Sequence, residues 1–171
     1  EQYLEDPSRY LYLCLFFEKQ SPGSPEDFFG LLQAAVQRRG QSTMAPGYEG
    51  FSELVKQLKQ EGRRLVVFLD DFDRVTLHPG FPIDFFSYMR SIANSNDVGY
   101  VTTSYDSLQR LCHTSTIEES PFFNIFTTVN LEAFKPEEAR RLVEEPARQA
   151  GAPLGAEVEW VLEWAGSSPY L

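Results

Sequence analysis

The run Arg63-Arg64-Leu65-Val66-Val67-Phe68-Leu69-Asp70-Asp71-Phe72-Asp73-Arg74 constrains this chain more than any other stretch. Five apolar residues, Leu65 to Leu69, follow one another without polar alternation and stop at carboxylates. A continuous β-rich run of this length predicts a strand buried on both faces, as in a parallel sheet. Open α/β sheets bind ligands beyond the carboxyl ends of their strands. Asp70, Asp71 and Asp73 fall there. Adjacent carboxylates repel one another when desolvated, so a cation, a basic side chain or water has to offset them. Two readings of the run follow. One is a Mg²⁺-nucleotide site; in the other, Asp71 and Asp73 cap a turn and Asp70 is solvated.

The rest of the chain alternates in the way such a sheet requires. Tyr10 to Phe17 (YLYLCLFF) is nearly all apolar and predicts a first strand. Ser24-Pro25-Glu26-Asp27 supplies an N-cap, a first-turn proline and acidic residues suited to a helix dipole. Phe28, Leu31, Leu32, Ala35 and Val36 follow at helical spacing, and Phe51, Leu54, Val55 and Leu58 mark a second helix. A loop is expected over 74–82, then a helix carrying Phe85, Phe86, Met89, Ile92 and Ala93. Val98 to Thr103 predicts another strand, ending at Ser104, with a short helix over Ser107 to Cys112. Pro121-Phe122-Phe123 and Ile125-Phe126 form an apolar loop, and Thr127 to Leu131 predicts a last strand. Lys135-Pro136-Glu137-Glu138 opens a helix that Pro146 should kink or restart, since proline lacks the N–H and clashes one turn back. A final helix carries Trp160 and Trp164. Strands alternate with helices and helices alone then follow, which predicts an α/β three-layer sandwich with a mostly parallel sheet and a small helical lid. The expected division is an α/β core over 1–133 and the start of a helical domain over 134–171.

Composition narrows the classes of partner. The net charge of −10 disfavours nonspecific binding to nucleic acid or an anionic membrane. No apolar run approaches a membrane span, and the first residues lack a signal-peptide layout. Cys14 and Cys112 form no spaced pair and His78 and His113 are scattered, so a reducing compartment, the cytoplasm, and no zinc site are expected.

RRLVVFLDDFDRV resembles the Walker B element of P-loop ATPases, and VGYVTTSYDSLQRL resembles the sensor 1 strand that follows it. VNLEAFKPEEARRLVEEPARQAG, then a helix, then GSSPYL, resembles the strand, helical lid and G-x-x-P segment of the AAA+/STAND signal-transduction ATPases. The resemblance covers almost the whole chain. It implies an ATP-binding core that works as a nucleotide-driven conformational switch and, in the full-length protein, Mg²⁺-dependent ATP hydrolysis. Asp70 would hold Mg²⁺, Asp71 would orient or polarise the attacking water, and Ser104 or Thr103 would stand near the γ-phosphate. Ser168 and Pro169 would approach the nucleotide from the lid side. The residue types also allow plainer roles, helix capping for Thr103 and Ser104 and a helix-ending turn for Ser168-Pro169. Asp in place of the glutamate of many AAA+ relatives at position 71 fits the STAND group, and Tyr105 stands where STAND relatives often have arginine.

One element of the family is missing from the sequence. No G-x-x-x-x-G-K-[ST] occurs, and none of Lys19, Lys56, Lys59 and Lys135 follows a glycine. The phosphate cradle needs clustered N–H groups at a helix N-terminus together with that lysine. In the family the P-loop strand lies between the sensor 1 strand and the last strand and precedes the segment that resembles Tyr10 to Phe17. The expectation is therefore a P-loop upstream of Glu1 or one lost altogether. The alternative function is a non-catalytic protein-interaction module on the same scaffold, contacting partners through Phe122, Phe123 or Trp160. Protein partners or self-association through neighbouring domains are expected in either case. A Mg²⁺-dependent phosphoacceptor domain is disfavoured, because Glu18 and Lys135 fit poorly the places where it needs an acidic pair and a lysine.

Overall fold

Tyr10–Phe16 (β1), Arg64–Asp70 (β2) and Val98–Thr102 (β3) form a parallel sheet in the order β1-β2-β3. The computed structural model describes residues 9–40, 44–95 and 98–165. The chain divides into two compact units, 1–127 and 128–171, and the sheet belongs to the first.

Helices α1 (Pro25–Arg38) and α2 (Gly47–Gln60) lie between β1 and β2 in the chain. A single turn, α3 (Asp73–Thr76), and α4 (Ile83–Asn94) lie between β2 and β3. Local chemistry sets the ends of these helices. Ser24 Oγ accepts the Asp27 N–H at 3.2 Å with Pro25 in the first turn of α1. Gly62, at φ 72°, follows α2 in the left-handed region that glycine enters without a Cβ penalty.

Right-handed crossovers that step in one direction across a sheet place their helices on one face. That face holds the core. Leu11, Leu13, Leu15, Leu65, Val67 and Leu69 are buried there with Phe28, Phe29, Phe51, Phe85 and Phe86. The opposite face carries Tyr12, Cys14 and Phe68 half-buried, Phe16 57% exposed and Val101 46% exposed. The strands thus alternate between buried and half-buried residues, where the unbroken apolar runs predict burial on both faces. Of the three expected layers, the sheet and one helical layer lie in this unit, and no described helix of the unit covers the second face.

Two expected elements after β3 do not form. Thr127 to Leu131 makes no strand; Val129 and Leu131 are 77% and 93% exposed. A strand is stabilised by a ladder partner, and no described strand stands beside these residues. Ser107 to Cys112 makes one turn and no helix, with the Arg110 N–H donating to Ser107 O at 2.9 Å. The apolar loop is better ordered than its sequence suggests. Thr114 caps a short turn, α5 (Ser115–Glu118), and Pro121–Ile125 forms a 3-10 helix. Phe122 enters the core against Phe72 and Phe86, with ring centroids 6.2 and 5.6 Å away. Phe122 and Phe123 are buried and cannot serve as the partner surface expected of them.

The second unit contains α6 (Pro136–Gln149) and α7 (Glu157–Ala165). Glu138 accepts the Lys135 N–H at 2.9 Å, which fixes the start of α6. Helix α6 runs through Pro146 without the restart that was one expected outcome. The carbonyl freed one turn back belongs to Leu142, which is 51% exposed, so water can bond to it. Arg140–Glu144 and Arg141–Glu145 pair at i,i+4, and Arg140 also reaches Glu159 on α7. Trp160 and Trp164 are 62% and 74% exposed with their rings 6.0 Å apart, and so form a surface pair. No described helix is long and apolar enough to cross a membrane.

Candidate functional site

Parallel pairing sets Leu69 opposite Thr102, so the residues that follow, Asp70 and Thr103, leave the sheet side by side. Thr103 Oγ1 donates to Asp70 Oδ1 at 2.5 Å and accepts the Asp71 N–H at 3.0 Å. Backbone bonds fix the same junction: Thr103 N–H donates to Leu69 O at 3.0 Å and Phe72 N–H donates to Thr103 O at 2.9 Å. One hydroxyl therefore satisfies one acidic side chain and the backbone of the next, and ties the carboxyl ends of β2 and β3 together. The aspartate oxygen that Thr103 does not engage, Asp70 Oδ2, makes no hydrogen bond or ion pair among the described residues.

Asp71 takes φ 54°, the one left-handed non-glycine among the described residues. Aspartate enters this region more readily than most side chains because its short polar group can bond locally. The turn directs the chain into α3, and Arg74 Nε lies 3.7 Å from Asp71 Oδ2 across a half-exposed i,i+3 pair. Charge repulsion between Asp70 and Asp71 is thus offset by a hydroxyl on one side and a guanidinium on the other. The Arg74 contact escaped sequence reasoning, although its three-residue spacing from Asp71 was a usable signal.

Asp73 has a different environment. It is 6% exposed, its Oδ1 has no hydrogen-bond partner among the described residues, and burial raises its carboxyl above the ordinary aspartate range. Its neighbour Asp71 raises it further, against the opposing pull of its own backbone N–H and of Arg74. Thr76, on the same turn, donates Oγ1 to Leu111 O and accepts the His113 N–H on its carbonyl at 3.1 Å. These bonds hold the segment after β3 against α3.

Among the residues expected at the site, Asp70, Asp71 and Thr103 meet. Ser104 does not join them: it is exposed, and its Oγ donates to Asp106 O at 2.6 Å in the loop beyond. Ser168 and Pro169 lie outside the described residues. Beside Asp70, on the less covered face of the sheet, is a recess of about 200 Å³ bounded by Cys14, Phe16, Phe68, Val101 and Thr103.

The donor set can be tested against a Mg²⁺-nucleotide. Mg²⁺ takes oxygen ligands, keeps several waters and needs only one or two carboxylates. Asp70 with its free oxygen fits that demand, and no cluster of three metal-ligating side chains occurs among the described residues to suggest an all-protein cage. The phosphate side is different, since the sequence carries no glycine-rich loop ending in Lys-Ser or Lys-Thr. These residues fit the metal end of a nucleotide site and do not supply its phosphate cradle.

The parallel sheet, with acidic and hydroxyl strand ends side by side, matches an α/β P-loop NTPase-like fold. Two solved structures of the ORC2 protein of Aeropyrum pernix share it. The ADPNP-ADP complexes match with a TM-score of 0.67 and the ADP form with 0.64, each at 16% identity over 86% of this chain. This chain spans only 38% and 39% of the length of those chains. The profile of the novel STAND NTPase 2 family matches residues 27–169, and the chain belongs to that family. A comparison with curated proteins finds no match.

Proposed function

We propose that this chain is the Walker B and sensor 1 part of a nucleotide-driven switch, which binds Mg²⁺-ATP together with a phosphate loop supplied from outside the 171 residues. The observation that carries this reading is the Asp70–Thr103–Asp71 link at the carboxyl ends of neighbouring parallel strands. Asp70 would hold the Mg²⁺, which when bound would supply charge neutralisation at the phosphates. Thr103 fixes the Asp70 carboxylate and sets the backbone of Asp71. Asp71, turned out of the strand by its left-handed backbone, orients a water. Ser168 and Pro169 as lid-side nucleotide contacts and the signalling role rest on family resemblance alone, and a cytoplasmic location rests on the absence of a spaced cysteine pair in the sequence. Nucleotide shifts an open-closed equilibrium only through contacts that differ between the two states.

Calorimetry with Mg²⁺-ATP on this chain and on a longer chain that includes a phosphate loop tests the reading. The longer chain is expected to bind and this one is not. In the longer chain, Asp70→Asn removes the Mg²⁺ dependence, and Thr103→Val weakens binding by about tenfold, as loss of a ligand's supporting hydrogen bond does. No binding by the longer chain, or an Asp70→Asn variant with unchanged Mg²⁺ dependence, sinks the proposal. The exposed Trp160 and Trp164 pair favours a second reading, an interaction module on the same scaffold. Absence of nucleotide binding in both chains leaves that reading standing.

A further inference from the structure

The outer edge of β1 faces a recess of about 350 Å³ formed with the exposed side of α1. Its walls are Leu13 to Phe16 of β1, Leu31 and Ala35 of α1, and three cationic residues, Lys19, Arg38 and Arg39. No carboxylate lines it. In a chain with 25 acidic and 15 basic residues, a recess whose charged residues are all basic runs against the average surface. Lys19, Arg38 and Arg39 are exposed and make no ion pair among the described residues.

The strand at this recess has one side unpaired. β1 ends the sheet, with β2 on its inner side alone among the described strands. Arg9 O accepts the Arg64 N–H at 2.8 Å and Phe17 N–H donates to Asp70 O at 3.2 Å. Odd-numbered residues therefore turn their backbone groups toward β2, and the even-numbered Cys14 and Phe16 turn theirs toward the recess. An open edge of this kind is a template for one more strand.

We propose that the β1 edge is a docking site for an extended acidic peptide that joins the sheet as a fourth strand. Side chains of an added strand alternate between the two faces. Those on the helix side meet Arg38 and Arg39, which suits carboxylates. Those on the other side lie beside Cys14 and Phe16, which suits apolar groups. The fitting peptide therefore alternates acidic and apolar residues. Charge disfavours a second copy of this chain as the occupant. Antiparallel self-pairing centred on Leu13 brings Arg9 of each copy toward the Lys19 end of the other. Lys19, Arg38 and Arg39 could instead guard a lone edge against aggregation, and the test separates that role from peptide binding. The proposal does not depend on nucleotide binding, although Cys14 and Phe16 also border the recess beside Asp70.

Fluorescence anisotropy with a labelled peptide of alternating glutamate and valine, long enough to span β1, is the experiment. Binding is expected, weakened by added salt and weakened at least about tenfold in the Arg38→Glu/Arg39→Glu variant, as charge complementarity requires. Should that variant lose helicity, Lys19→Glu takes its place, since it lies in the loop after β1. A peptide with proline in place of each valine is expected not to bind, because proline lacks the ladder donor. Any of four results overturns the proposal: no binding, binding unchanged by charge reversal, equal binding of the proline peptide, or equal binding of a lysine-valine peptide. A concentration-dependent dimer that excludes the peptide does so as well, with a second copy as the occupant.

Discussion

Phe85→Ala lowers the stability of the α/β unit by about 3–5 kcal/mol, the range for truncating a fully buried phenylalanine. Phe85 is 0% exposed and stands at the centre of the helical layer. Its ring meets Phe28 at 5.1 Å, Phe81 at 4.9 Å and Phe86 at 5.2 Å, all tipped toward edge-on. Those partners come from α1, from the loop after α3 and from α4 itself, so no single neighbour can collapse to fill the space. Each lost aromatic pair adds about 0.5–1.5 kcal/mol beyond buried area. Against a total domain stability of about 5–15 kcal/mol, such a loss is severe. Chemical denaturation should show the urea midpoint falling, and a thermal scan a drop on the order of 10 °C or more. Phe16→Ala is the control: Phe16 is 57% exposed, and its loss should cost far less. Equal effects at the two positions would contradict the placement of the core on one face of the sheet.

Gly80→Ala is expected to destabilise by about 3 kcal/mol, the upper end of overpacking penalties. The reason is a close approach of two loops above the sheet. A Cβ on Gly80 would stand 2.0 Å from Gly23 O and 3.2 Å from Gly23 C, and these are backbone atoms with little freedom to yield. The Gly80 N–H also donates to His78 Nδ1 at 3.0 Å, so the loop cannot swing away without losing that bond. The two loops follow β1 and α3, at the carboxyl-end side of the sheet where Asp70 lies. Gly30→Ala, in the middle of α1, provides the opposite sign. Nothing lies within 4 Å of a Cβ there, and alanine is favoured over glycine in a helix by about 1 kcal/mol. The same chemical change should therefore lower the urea midpoint at Gly80 and raise it at Gly30. A Gly80→Ala variant as stable as the parent would contradict the close approach.

Local chemistry made much of this protein legible before any fold was known. Ser24-Pro25 announces the start of α1 because the cap and the first-turn proline act within four residues. The apolar runs at Tyr10 and Leu65 announce strands, and the carboxylates that end the second mark the place where a parallel sheet presents its ligand site. Helical spacing predicted most buried residues of α1, α2 and α4, since a 3.6-residue period survives in the sequence whatever packs against it, but it missed the buried Phe29, and Leu31, Ile92 and Ala93 are only half-buried.

Long-range pairing decided the rest. Thr127 to Leu131 has the composition of a strand, but a strand needs a neighbour, and nothing in those five residues records whether one stands beside them. Thr103 and Ser104 are adjacent hydroxyls of equal promise in sequence. The register between β2 and β3 turns one to Asp70 and leaves the other in the loop. Phe122 and Trp160 are both large aromatics, and only the packing of the 3-10 helix against Phe72 and Phe86 made the first a core residue while the second stayed at the surface. Residue type and spacing fix what acts within one or two turns of chain. Which face of a strand is covered, and which hydroxyl meets which carboxylate, depends on residues more than thirty positions away, and only the tertiary structure brings those together.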